Sequence, residues 1–424
     1  MNGSLNPAYP IIREVYSVVQ RSRVVNTGAG FSQSLAQPAR RPDVPTLLGR
    51  VDDRQLRLRH AGQRTARPHL RGHHQRPARL RPDDQPDLTI HTPQYCGFVS
   101  VLSPAALAAR SAGLAPLMRE HLIRTPLVGF AALSEQVAAD VLVKCEHLQR
   151  TGSFKARGGL AKVSALTADQ RRRGVVTASS GNHGLGVAHA LAVLDGRAIV
   201  FVPVHASSAK VAALRRFGVE IRQQGDECGA SERLAQDYAA EHGLAYVSPY
   251  NDADVIAGQG TIGVEIVEQL DGRTLDAIIV SVGGGGLVSG VASVLKHHWP
   301  TIRVIGASPV NDAAMAASVR AGQVVTLDAA PTLSDGTAGS VEPGSITLPL
   351  CQALVDEWVL VDEAAIRRAL RLVIDTEHQL VEGAAAVAVA AALACRQTLA
   401  GRRVGIVSCG ANIAADTLAA ALNG

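Results

Sequence analysis

Ala277-Ile278-Ile279-Val280-Ser281-Val282-Gly283-Gly284-Gly285-Gly286 is an apolar, mostly β-branched run that ends in four glycines and opens into a helical pattern. It reads as strand, tight turn, helix, with a turn whose residues bring no Cβ. Such a turn leaves backbone N–H groups unpaired at a helix N-terminus, which suits an anion such as a phosphate or a carboxylate. A second unit of this kind lies upstream, where 175–178 runs into Ser179-Ser180-Gly181-Asn182-His183-Gly184. Further short runs at 198–204, 220–222, 245–247, 303–307, 358–361 and 404–408 are mostly separated by helix-like stretches. Strands alternating with helices predict an α/β fold with parallel sheets covered on both faces, and ligands in such sheets sit at the carboxyl ends of strands.

Between Ser103 and the first of these turns lies Thr151-Gly152-Ser153-Phe154-Lys155-Ala156-Arg157-Gly158. Lys155 follows a small-residue turn and precedes a helical pattern. An amine shielded by apolar neighbours has its charged form disfavoured, which makes it a candidate for Schiff-base chemistry. On its own the segment reads first as a solvated lysine at a helix start. One amine and two anion cradles together are a more specific combination.

The combination resembles the fold type II enzymes dependent on pyridoxal phosphate, in the branch of threonine and serine dehydratases and serine racemases. The residues that carry the resemblance are 151–158, Ser179 to Gly184, the four glycines, and Ser408-Cys409-Gly410-Ala411-Asn412, in the family's order. It extends from near residue 101 to the C-terminus. It implies two parallel-sheet α/β domains with the cofactor between them: a smaller one over 171–254, inserted into a larger one built from 101–170 and 255–424. It implies that Lys155 carries the cofactor and moves the substrate α-proton, that Phe154 packs on the ring, and that Asn182 bonds the ring hydroxyl. Gly283, Gly284, Gly285 and Gly286 would wrap the phosphate, and Cys409 would face the pyridine nitrogen. Ser179, Ser180, Gly181 and His183 belong to the loop for the substrate carboxylate, with Asp335 near the substrate hydroxyl. Ser180 is also the second acid/base of the racemases, and dehydratases carry it too. Each has a plainer reading: a core phenylalanine, a helix-start histidine, a buried structural cysteine, a surface turn at Asp335-Gly336.

The glycine loop also fits a dinucleotide fingerprint, which calls for an acid about 20 residues on. There the chain has Arg303-Val304-Ile305-Gly306-Ala307-Ser308, without a carboxylate. Many family members have a glutamate in place of Ser308, and the racemases a further acid near Ala314, to hold a divalent cation. Asp312 stands alone here, so no metal site is expected.

The 424 residues are 47% hydrophobic and only 3% aromatic, enough for a sizeable core made of small aliphatics. Cys96, Cys145, Cys228, Cys351, Cys395 and Cys409 show no paired spacing, so neither disulfides nor zinc are expected and a reducing cytoplasm fits. Charge is uneven. Residues 1–100 hold 15 Arg, no Lys and 7 acids, whereas the rest has 27 basic residues against 30 acidic ones. The front segment, rich in Arg and Pro, lacks a sustained apolar period and is expected to be a disordered extension or no part of the native protein. A nucleic-acid-binding tail is the rival reading of those arginines. Helix starts are expected at Ser103-Pro104 and Asp362, and 383–395 reads as a buried helix too short to span a bilayer. An appended regulatory domain is not expected.

The function expected is pyridoxal-phosphate-dependent β-elimination of water from a small L-β-hydroxy amino acid, threonine or serine, giving a 2-oxo acid and ammonia. The alternatives are racemisation, dehydration of a larger substrate such as phenylserine or hydroxyaspartate, and, outside the class, a nicotinamide oxidoreductase. A homodimer is expected, with neither nucleic acid nor membrane as partner.

Overall fold

A computed structural model describes residues 102–423. The expected extension over 1–100, with its Arg-rich tract, lies outside the described residues. Ten strands form two sheets among the described residues. The larger contains β1 (Leu127–Gly129), β2 (Asp140–Cys145), β7 (Ala277–Ser281), β8 (Arg303–Pro309), β9 (Glu357–Val361) and β10 (Arg403–Ser408), in the order β1-β2-β10-β7-β8-β9. The smaller contains β3 (Val175–Ala178), β4 (Ala198–Val202), β5 (Glu220–Gln223) and β6 (Ala245–Tyr246), in the order β5-β4-β3-β6. Every pairing is parallel except β1 with β2. The α/β class and its parallel sheets are therefore as the sequence predicts.

β1 and β2 escape the sequence pattern. β1 is three residues long and largely exposed, and β2 carries Asp140 and Lys144, which β propensity disfavours. Lys144 nonetheless has no exposed surface, because tertiary partners meet its ammonium there.

The local signals work where they are expected. Ser103 accepts from the Ala106 N–H at 3.1 Å with Pro104 in the first helical position, and Asp362 accepts from the Ala365 N–H at 2.6 Å. Helix Gly383–Ala394 has ten consecutive buried residues from Gly383 to Ala392. With so few aromatics, the core closes by backbone approach. A Cβ on Gly258 of helix Ala253–Leu270 would stand 2.6 Å from the Arg157 carbonyl oxygen, and one on Gly290 2.3 Å from that of Ile256. Helices at such separation gain dispersion contacts that bulkier side chains would forbid.

Candidate active site

Three loops leave the carboxyl ends of β3, β7 and β10, and Lys155 opens helix Lys155–Ala165 beside them. The lysine segment is stitched to the β10 loop. The Phe154 N–H donates to the Cys409 carbonyl at 3.0 Å, and the Ala411 N–H to that of Gly152 at 2.8 Å. Helix Asn182–Val193, which follows the β3 loop, is pressed onto the lysine helix. A Cβ on Gly186 would lie 2.6 Å from the Lys155 carbonyl oxygen.

Lys155 Nζ donates to the Pro249 carbonyl at 2.8 Å and lies 5.3 Å from the Phe154 ring centroid. Burial pulls its pKa down to about 8, against the opposing pull of Cys409, Glu232 and Glu382. An amine in that range is a usable base and nucleophile near neutral pH. The next residue, Tyr250, packs on the glycine loop, where a Cβ on Gly284 would stand 2.4 Å from the tyrosine ring. Gly285 has φ 85°, a conformation that favours glycine. Among the described residues no backbone acceptor meets the N–H groups of Gly283, Gly284 or Gly285, at the head of helix Gly286–His298. Open amides at a helix N-terminus, joined through Pro249 and Tyr250 to a depressed amine, fit a cofactor that carries an aldehyde and a phosphate.

Within electrostatic reach of Lys155, Asn182 Nδ2 donates to both carboxylate oxygens of Glu382, at 2.9 and 3.0 Å. Asn182 Oδ1 accepts from Asn412 Nδ2 at 2.6 Å. The Cys409 thiol lies 4.0 Å from Glu382 Oε1, and burial together with that carboxylate raises its pKa well above the ordinary thiol value. It is a neutral group at physiological pH. Burial pushes the Glu382 carboxyl up to about 7, which the Asn182 hydrogen bonds only partly oppose.

The other expected site residues are distributed less evenly. Ser179, Ser180 and Gly181 form the turn after β3, with the Gly181 N–H donating to Ser179 Oγ at 3.1 Å. His183 is 3% exposed, its Nε2 is 3.0 Å from the Val247 carbonyl, and burial lowers its pKa to about 3. Its imidazole is therefore neutral and turned to a backbone carbonyl. Asp335 is exposed and pairs with Lys210 at 3.1 Å, tying its loop to helix Ser208–Arg215. Ser308 donates to the Val282 carbonyl at 2.8 Å, and Asp312 accepts from the Gly339 N–H at 2.7 Å, so both are engaged within the fold.

Three carboxyls were not singled out by sequence. Glu382 is one; Glu232 and Glu342 are the others. Glu232 is pushed up to about 7 by burial and then by Glu342, and it accepts from the Tyr246 hydroxyl at 3.1 Å. Glu342 accepts from Asn251 Nδ2 at 2.8 Å and Ser248 Oγ at 3.3 Å, on either side of Pro249. No spacing rule links residues 232, 342 and 382, so only folding brings them near Lys155.

Comparison with known proteins gives the same picture. The family model described as "Pyridoxal-phosphate dependent enzyme" matches residues 118–410. An L-threonine ammonia-lyase of Thermotoga maritima is 39% identical over 290 residues, 68% of this chain and 71% of the relative. The processed form of threonine deaminase isoform 2 from Solanum lycopersicum superposes with a TM-score of 0.71 and 32% identity, covering 74% of this chain and 92% of that one. Maize serine racemase does so with a TM-score of 0.69 and 31% identity, over 74% and 96%. The α/β fold with parallel sheets is of the fold type II kind seen in these structures, and the chain belongs to the family of pyridoxal-phosphate dependent enzymes.

Proposed function

We propose that this enzyme is an ammonia-lyase that removes water from L-threonine or L-serine and releases a 2-oxo acid and ammonia. The observation that carries the proposal is the Lys155 amine, which burial brings to about 8 beside open backbone amides and a neutral thiol. The names of the relatives support threonine as the substrate. Pyridoxal phosphate, when bound, supplies the electron sink that makes the substrate α-proton removable.

Lys155 would hold the cofactor and, once released by the incoming amino group, take the proton from the α-carbon. The N–H groups from Gly283 to Gly286 would hold the phosphate dianion, assisted by the dipole of helix Gly286–His298. Phe154, Asn182 and Cys409 would contact the ring. A neutral Cys409 thiol would face the ring without supplying the negative charge that keeps a ring nitrogen protonated, and this would favour elimination of the β-hydroxyl. Ser179, Ser180, Gly181 and His183 would form the loop that receives the substrate carboxylate, with Asp335 near the substrate hydroxyl. Water leaves the substrate and one water returns on hydrolysis, so the net products are the 2-oxo acid and ammonium.

Racemisation is the second reading, favoured by the likeness to maize serine racemase and by Ser180 in the turn that follows β3. We further propose a small domain over 171–254 that closes on the larger one, a homodimer, and a cytoplasmic setting. No helix among the described residues is long and apolar enough to cross a membrane.

The test is 2-oxo acid production from L-threonine, L-serine, threo-phenylserine and hydroxyaspartate, with Lys155→Ala as control. Turnover of threonine or serine that falls by about a thousandfold or more in the control is expected. No 2-oxo acid from any substrate, with D-serine formed from L-serine, would replace the lyase with the racemase.

A further inference from the structure

Glu382 occupies the N-cap position of helix Gly383–Ala394, yet its side chain makes no capping hydrogen bond to that helix. The carboxylate turns instead toward the candidate site. It accepts two contacts from Asn182 Nδ2 and one from the Asn412 N–H at 3.1 Å, while its own N–H donates to the Gly410 carbonyl at 2.9 Å. Gly410 gives it room, since a Cβ there would stand 2.4 Å from Oε1. Asn412 Nδ2 in turn donates to Asn182 Oδ1 and to the Thr151 carbonyl, at 2.6 and 2.8 Å. Both ends of the Asn182 amide are thus specified. Once ionised, the carboxylate only accepts, so Nδ2 then faces Glu382, and Oδ1 is the part of the Asn182 amide left to accept from Asn412.

Glu382 is 2% exposed, and no Lys or Arg among the described residues forms an ion pair with it. A buried acid without a cation weakens a fold, and its own helix takes no cap from it. Its contacts run instead to Asn182 and to the Cys409–Asn412 loop. We infer that Glu382 is a positioning residue, which orients the Asn182 amide and the Cys409 loop toward the cofactor ring. The inference rests on the reading that Asn182 and Cys409 meet that ring.

Three readouts on purified protein, none of them turnover, test it: the cofactor dissociation constant, the absorption band of the bound cofactor across pH, and the thermal midpoint of the cofactor-free chain. Glu382→Gln keeps the shape but places a donor beside Asn182 Nδ2. The expected result is cofactor affinity weaker by about tenfold, a displaced pH transition of the band, and a cofactor-free midpoint at pH 8 no lower than the parent's. Glu382→Asp, which keeps the acceptor-only group, should retain the parental pH transition. In an Asn182→Ala background, Glu382→Gln should cost less than about threefold further, because its route to the cofactor is already cut. Affinity and band within about twofold of the parent, losses that multiply in the Asn182→Ala background, or a Gln variant that fails to fold would each overturn the inference. Absence of 2-oxo acid from the parent enzyme would refute the lyase reading and leave these measurements untouched.

Discussion

Two buried acidic centres flank the lysine segment, and they are built in opposite ways. Arg157, two residues after Lys155, is fully buried and donates to Glu146 at 2.8 Å through both Nε and Nη2. It also donates to Glu265 at 2.7 and 2.9 Å, and Lys144 Nζ adds a contact to Glu265 at 2.5 Å. Glu382 has only amides and the Cys409 thiol as partners, and no cation. Burial pushes both Glu146 and Glu382 up, but at Glu146 the Arg157 guanidinium and Lys144 outweigh it, so that carboxyl ends below its ordinary value while Glu382 ends at about 7. The difference teaches how to separate scaffold from site. Where cations match acids the network ties β2 and two helices together; where they do not, the acid serves the groups around it.

The comparison breaks most readily at Arg157. Arg157→Leu strands Glu146 and Glu265 without their guanidinium and should cost about 3–5 kcal/mol in urea unfolding. A loss below about 1 kcal/mol would mean that the pairing does not hold the scaffold.

The pH dependence sharpens it. The folded Glu382 value of about 7 stands above the ordinary 4.5, so the folded chain keeps a proton there that the unfolded chain gives up. Stability from this group is greatest below 4.5 and is lost as pH rises through 7, by on the order of 3 kcal/mol. Glu146 has the opposite sign: its contribution is present above the ordinary carboxyl value and lost as pH falls through its depressed one. Unfolding free energies of the parent minus Glu382→Gln, taken between pH 4.5 and 8, should therefore fall with pH. Asp335 and Lys210 are the charged groups nearest in influence, and their opposing effects should leave the sign intact. A flat difference would contradict the unpaired carboxyl.

Gly284→Ala drives a Cβ into the Tyr250 ring and should cost about 1–3 kcal/mol by overpacking, together with cofactor affinity read by titration. The exposed Lys210 and Asp335 pair marks the lower end. Lys210→Ala should change stability by less than about 1 kcal/mol, since solvent screens that contact.

Much of the site was legible because its chemistry is local. The open amides of Gly283 to Gly285, the turn at Ser179 to Gly181 and the amine of Lys155 are each carried by a few consecutive residues whose backbone geometry follows from missing Cβ atoms or a strand-to-helix step. The caps at Ser103 and Asp362 were legible for the same reason. His183 was legible as a loop residue, but its contact with Val247 was not, because it joins residues 64 apart in sequence. Asp335 likewise takes its partner from Lys210, 125 residues away.

By itself, then, the sequence determined the alternating α/β pattern, the family and the local turns that make up much of the candidate site, since strand period, glycine turns and helix caps are short-range properties of the chain. Tertiary structure alone decided that β2 is a strand with Lys144 inside it, that Arg157 is a scaffold residue, and that Glu382, Glu232 and Glu342 stand near Lys155. Burial, hydrogen-bond partners and pKa are set by what surrounds a group in space, and none of those surroundings is adjacent in the chain.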